Sequence, residues 1–497
     1  MTSLILVAAL LGAAPVDELR WGADAQGGAP YVFQDPTDPN RLIGFEVELA
    51  GILSKRLGLQ ARPVQGPWDK LLDLLARGDF DIALNGIEVA EEKKRVALLS
   101  RPYFAAPQRL TIRKGDPKAP RSLEGLKGRA IGTLPGSMAE RILAREGADV
   151  RTYEGGQDEI YSDLKLGRTD AVLLDGPIAT FYGEIDDAFE VLPGDFGMVE
   201  YAIAFRLDDD ALRVKVNHEL DGLIADGTLR ALYERWGIWN PSVARLFNDP
   251  DPVSRKPREE LERWRAAVGK LPPFWERVKT RYPQVLPLFI KGAAVSVAVS
   301  LLAMVLAILL GISLAMGRRY GPKPVSFLCV AYIEFFRGTP LLIQLTMVYF
   351  GLPELGLKLS PFIAGVVALG LNYAAAEAEN YRAGLESVPA GQLEAATVLG
   401  FTRIQSLRFI VAPQAVRIAI PPMTNDFIAL LKDSSLVSIV TLTELTKTYT
   451  TLASSMRDHL GLGLLVAIVY LVIGLPFAQL ARAVERRFAR HLKRGNA

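Results

Sequence analysis

The chain has 497 residues, half of them hydrophobic, and a formal net charge of +2. That length exceeds one ordinary domain, and the near-neutral charge argues against a nucleic-acid partner. One cysteine, Cys329, excludes an intrachain disulfide or a cysteine zinc cluster, and the three histidines (His218, His459, His491) have no metal-ligand spacing.

The opening stretch LILVAALLGAAP, within 1–16, reads as the apolar region and small-residue cleavage zone of an export signal that lacks a basic start; an uncleaved anchor is the alternative. Next, short apolar runs alternate with helical patterns up to Ile238. Arg20-Trp21-Gly22-Ala23-Asp24 reads as a strand entering a loop. Leu49, Ile52, Leu53 and Leu57 recur at helical spacing and stop at Gly58. A second helix carries Leu71, Leu72 and Leu75, ends at Gly78, and leads into a strand over 80–84. The same unit returns as a helix over 160–166, Gly167, and a strand over 170–175. Such alternation predicts α/β lobes, each a mainly parallel sheet covered by helices. Ligands collect at the carboxyl ends of such strands, and two units predict two lobes with a cleft between them.

The stretches GFEVELAGILSKRLG (44–58), PWDKLLDLLARGDFDIALNGIEVAEEKKR (67–95), SRPYF (100–104) and YEGGQDEIYSDLKLGRTDAVLLDGPIA (153–179) resemble the family-3 extracellular solute-binding proteins of polar amino-acid uptake. The resemblance implies a type II periplasmic-binding-protein-like clamp over 17–240, with one lobe at about 17–105 and 200–240 and the other at about 106–199. A zwitterionic amino acid leaving water needs an anion for its ammonium and a cation or amide donors for its carboxylate. Asp175, at a strand's end, matches the family's ammonium-binding aspartate; a strand-terminal cap is the alternative. Where the family has Thr-x-x-Arg for the carboxylate, this chain has Ala90, Glu91, Glu92 and Lys93, and lysine is a point donor rather than a planar fork. Arg95 is the other cation that could turn inward. Glu88 stands where a small hydroxyl residue is usual, and Gly86 lies beside it. Ser137 matches the hydroxyl and backbone donors of the second lobe. Trp68 falls at a position lining the side-chain pocket, with a core role as the alternative. Asp24 either faces a cationic ligand group or caps a turn. Gly27-Gly28 replace the usual early pocket aromatic, and Pro30-Tyr31 follow.

Residues 241–284 change character, with Asp249-Pro250-Asp251-Pro252, a charged helical run from Arg258 to Val268, and Pro272-Pro273. They read as a linker whose helix either lies on the membrane surface or is a solvated spacer.

From 285 to 497 the chain reads as membrane-embedded. Ala293 to Met316 and Leu460 to Ala481 carry no charge, and at helical rise they reach about 36 and 33 Å, enough for a hydrocarbon core near 30 Å. Apolar segments over 325–352, 361–381 and 410–431 bring the expected spans to five. Arg318, Arg319 and Lys323 follow the first span, Arg382, Arg403 and Arg408 lie between the third and fourth, and Arg482, Arg486, Arg487, Arg490, Lys493 and Arg494 follow the fifth. All three sets share one side when the clamp is outside and the C-terminus is cytoplasmic, in a multi-pass bacterial inner-membrane protein. Asn425 and Asp426, polar within the fourth span, are either translocation-path residues or helix-pairing ones.

The loop over 383–410 contains Glu394-Ala395-Ala396-x-x-x-Gly400, which resembles the EAA motif of ABC importer permeases. Phe336-Arg337-Gly338-Thr339-Pro340, Glu379-x-x-Arg382 and Leu431-Lys432-Asp433-Ser434-Ser435-Leu436 resemble the polar amino-acid permease subfamily. The resemblance implies an all-α type I permease domain, a transporter subunit rather than an enzyme, whose coupling loop docks on a partner ATPase dimer. It also implies a second permease subunit, expected as a homodimer. No G-x-x-x-x-G-K-[ST] phosphate loop occurs, so no cofactor is expected here and ATP falls to the partner. A ligand-gated channel would place its pore helices between the two lobes, whereas every span here follows a completed clamp.

Overall fold

A computed structural model describes residues 17–153, 156–194, 196–269 and 271–494. The export-signal segment lies outside the described residues. The described residues form two compact units, one from 17 to 285 together with Thr450–His459, the other holding Leu286–Tyr449 and 460–494.

The first unit is built on two mixed sheets. One has the order β2-β1-β3-β11-β4, from β1 (Glu18–Ala23), β2 (Gln60–Gln65), β3 (Ile82–Ala83), β4 (Leu98–Leu99) and β11 (Ala204–Phe205). The other runs β9-β5-β8-β6-β7, from β5 (Phe104–Arg113), β6 (Ala130–Thr133), β7 (Asp149–Thr152), β8 (Ala171–Asp175) and β9 (Phe189–Val191), with β10 (Met198–Tyr201) also on β5. β1 pairs β2 and β3 in parallel, and β6 pairs β7 and β8 in parallel, as helix–strand alternation requires. The expectation of mainly parallel sheets needs correction for the remaining strands. β11 returns antiparallel between β3 and β4, and long β5 takes β8, β9 and β10 antiparallel. The cause is that the chain leaves the first sheet at about residue 100 and re-enters it after Tyr201, reversing direction each time.

Local sequence explains the covering helices. Helix α1 (Phe45–Arg56) buries Phe45, Leu49 and Leu53, and its acidic first turn and basic last turn complement the helix dipole. The helix Leu71–Arg77 stops where Gly78 takes a left-handed conformation, φ 76°, which closes the last carbonyls. A buried aromatic group of Tyr31, Phe45, Phe104, Tyr201 and Tyr233 underlies the junction of the two sheets. The linker helix Glu259–Val268 is tied down on the first unit. Leu261, Trp264 and Val268 recur on one helical face and are buried, and the Trp264 indole donates to the Phe181 carbonyl at 2.9 Å. Segment Thr450–His459 also packs within this unit: Gln34 N donates to Ser455 Oγ at 3.1 Å, and Arg277 pairs with Asp458.

Among the described residues three helices, lying mostly in the second unit, are long and apolar enough to cross a membrane: Tyr282–Tyr320, Pro361–Glu386 and His459–Leu480. A bent pair, Lys323–Gly338 with Leu341–Leu355, brings the number to four if it counts as one span. The expected span over 325–352 is therefore broken, by 106°. Pro340 lacks an amide proton and drives Thr339 into an extended conformation (φ −118°, ψ 143°), so the helix cannot continue. The expected fourth span is the helix Ala412–Asp433, which holds Arg417, Asn425, Asp426 and two internal prolines and is too polar to qualify by apolarity alone. Two of its carboxylates, Asp426 and Asp433, are met by Pro361–Glu386, along which it packs. Asn380 Nδ2 donates to Asp426 Oδ2 at 2.7 Å, and the Tyr373 hydroxyl to Asp433 Oδ2 at 2.8 Å.

Candidate ligand-binding site

Strand β8 ends at Asp175, which is buried, and its carboxylate is used twice. Oδ1 caps the following turn by accepting from Ile178 N at 3.1 Å. Oδ2 accepts from the Tyr31 hydroxyl at 2.7 Å and from the Tyr201 hydroxyl. Burial pushes the Asp175 carboxyl above the usual aspartate range, and the Tyr201 and Tyr31 hydroxyls and the Ile178 amide oppose the shift. The two hydroxyls are themselves driven well up, burial first and the neighbouring Asp175 charge second. Of the two roles open to Asp175, the structure contains the cap.

A second carboxylate cluster is linked to the first through Tyr201, which forms a β-bridge with Glu88. Glu88 is 4% exposed. Its Oε1 accepts from Met138 N, at the start of helix α2 (Met138–Arg145), and its Oε2 from Arg141 Nη2, both at 2.8 Å. Lys93 Nζ lies 3.9 Å from the same Oε2 and 5.0 Å from the centre of the Trp68 ring. Burial pulls the Lys93 ammonium below its usual range, and Glu88 partly restores it. Arg95, the alternative cation, is exposed.

The remaining expected residues hold this frame. Trp68 Nε1 donates to Asn85 O at 2.8 Å, and Asp24 accepts from Trp68 N at 3.2 Å and Gln65 Nε2 at 2.7 Å, so Asp24 braces its loop. Gly86 N donates to Glu46 Oε1 at 2.8 Å. Ser137 Oγ accepts from Glu140 N at 3.2 Å and donates to Leu134 O at 2.7 Å, which makes it the cap of α2. Thus Asp175, Glu88, Lys93, Trp68, Gly86 and Ser137 share one neighbourhood, with Asp24 behind Trp68.

Three residues were missed by sequence reasoning. Glu46 is fully buried, and burial pushes its carboxyl up to about 7 against hydrogen bonds from Tyr103, Gly86 N and Asn85. Its signal was an acid just inside the helix following Gly44. Arg141 lies one helical turn beyond Ser137, a spacing that puts both at the cleft end of α2. Tyr201 carried no local signal.

In the membrane unit, Asp426 is half-buried against Asn380 while Asn425 is exposed on this chain, so the structure separates the two. Glu394, Ala395 and Ala396 lie on the helix Ala390–Val398, with Ala396 buried and the other two exposed. Gly400 follows it at φ 81°, in open space. Val398, Leu399 and Ile404 beside it are 87%, 75% and 77% exposed, an unusual display of apolar surface.

Comparison with known proteins gives two family matches. Residues 19–238 match the bacterial extracellular solute-binding proteins, family 3, and residues 307–490 match the binding-protein-dependent transport system inner membrane component. Among relatives, the probable glutamine ABC transporter permease protein GlnM of Bacillus subtilis (strain 168) is 41% identical over 165 residues, 33% of this chain and 76% of that protein. The L-cystine-binding protein TcyJ of Escherichia coli (strain K12) is 33% identical over 210 residues, 42% of this chain and 78% of that protein. A solved structure of an ancestral arginine-binding protein bound to arginine is 31% identical, with a TM-score of 0.41, covering 44% of this chain and 97% of that one.

Proposed function

Because the chain belongs both to the family-3 extracellular solute-binding proteins and to the binding-protein-dependent transport system inner membrane components, we propose that it captures a polar or basic amino-acid-type solute outside the cell and passes it across the membrane on its own helices. One observation carries this reading: a single chain holds both a two-sheet α/β unit with the buried Asp175 carboxylate at a strand's end and a unit of membrane-length apolar helices. Asp175 receives the solute's amino group, with Trp68 as the flat wall of the pocket and Glu88, Gly86, Lys93, Ser137 and Asp24 shaping the cleft around it.

Transport is driven by a separate ATPase dimer. Its docking site is the loop that carries Glu394, Ala395, Ala396 and Gly400, where Val398, Leu399 and Ile404 offer apolar surface to a partner. A second permease subunit, expected as another copy of this chain, completes the path, and Asp426 and Asn425 line it. That loop lies in the cytoplasm and the clamp outside the inner membrane, a reading supported by the basic residues after the first, third and fifth expected spans.

Reconstitution of the chain with its ATPase in sealed vesicles tests this. ATP-dependent accumulation of a basic amino-acid-type solute, without ion conductance, is the expected result. Conductance gated by the solute and indifferent to ATP would replace the importer by a channel.

A further inference from the structure

The groups placed to receive a ligand's carboxylate are already engaged by carboxylates of the chain itself. Met138 N and Arg141 hold the two oxygens of Glu88 at 2.8 Å each, and Lys93 lies 3.9 Å from one of them. Arg141 is further shared with Glu92 at 3.0 Å. Gly86 N is held by Glu46, and the Ser137 hydroxyl is used in capping α2. A carboxylate arriving from solution would either share this cradle with Glu88, adding a like charge in a low dielectric, or displace a buried anion from all its partners. Both are unfavourable.

The opposite holds for a cation. Among the described residues, Asp175 Oδ2 is engaged by the neutral hydroxyls of Tyr31 and Tyr201. An ammonium or guanidinium makes stronger, charge-assisted bonds to a carboxylate than a hydroxyl does, so the exchange favours the ligand. Trp68, beneath the Lys93 ammonium, adds an aromatic wall to the same neighbourhood.

We propose that the cleft takes organic cations of amino-acid type that lack a free carboxylate, such as decarboxylated basic amino acids or short polyamines, and that Glu88 is the built-in anion that fills the carboxylate cradle of Met138 N, Arg141 and Lys93. This assignment depends on the solute-binding reading above and narrows its substrate class.

Calorimetry on the full chain in detergent, with the matched pairs agmatine and arginine, putrescine and ornithine, and cadaverine and lysine, tests it directly. At least one amine should bind about tenfold or more tighter than its amino acid. Glu88→Ser frees the cradle and should reverse the preference. Glu88→Gln keeps the shape, loses the charge, and should weaken amine binding by about tenfold. Equal or tighter binding of the amino acids to the wild-type chain would overturn the amine assignment while leaving the cleft a solute site. Binding of neither class to the wild type, with amino acids captured by Glu88→Ser, would do the same. Binding of neither class to wild type or variants would remove the solute-binding reading as well.

Discussion

The hydroxyl of Tyr31, which follows the first strand of one sheet, donates to Asp175 Oδ2, at the end of a strand of the other, over 2.7 Å. Tyr201 shares that oxygen, so the Asp175 carboxylate is supported from both sides of the chain's crossing between sheets. A buried carboxylate held only by neutral donors is poised to exchange them for a cation.

Asp175→Asn separates the two roles of this residue. The amide oxygen still accepts from Ile178 N and preserves the cap, while the charge is removed. Thermal stability should stay within a few degrees of wild type, and affinity for an amino-bearing solute should fall by about 10- to 100-fold, the worth of a charge-assisted hydrogen bond. Unchanged affinity by calorimetry would take Asp175 out of the site.

Glu46 predicts how stability follows pH. Its carboxyl is pushed up from 4.5 to about 7, so the folded chain binds a proton that the unfolded chain has released. Its contribution is therefore full below about 4.5 and is lost as pH rises through about 7. Glu46→Gln should flatten this part of the profile, and its advantage in melting temperature over wild type should grow between about pH 5 and pH 8. Parallel profiles for the two proteins would refute the assignment.

Leu399, 75% exposed beside Gly400, tests the docking surface without touching a core. Leu399→Asp should insert in membranes and bind solute normally, yet lose most of the solute-stimulated ATP hydrolysis. Gly400→Glu should act in the same direction, with added backbone strain from a side chain at φ 81°. Full stimulation in Leu399→Asp would exclude this surface.

Trp264→Ala probes the linker helix. The ring is 3% exposed, packs against Phe33 at 5.0 Å between centroids, and donates to Phe181 O. Its removal should destabilise the first unit by about 3–5 kcal/mol. Were the helix a free spacer, a denaturant titration would show no change.

The two-lobed architecture and the membrane half were legible in the sequence because they depend on short-range periodicity. Leu49 and Leu53 on one helical face, Gly78 after a helix, and the uncharged run from Ala293 to Met316 state their environment within a few residues. Even the break at Thr339-Pro340 had its local cause in view, although the apolar run over 325–352 concealed it. Asp175, Glu88 and Lys93 were singled out by pattern and do lie in one neighbourhood.

What no local pattern carried was the choice of partners. Tyr201 reaches Asp175 from 26 positions away, Glu46 reaches Gly86 from 40, and Arg141 reaches Glu88 from 53. The sequence by itself determined which segments are helix, strand or membrane run, since the chain's own neighbours settle those. Only the tertiary structure decided that Glu88 sits on Met138 N and Arg141, and that Trp264 is buried. Such pairings are set by two crossings between sheets and by the cost of leaving a buried charge or ring without company, and a linear pattern records neither.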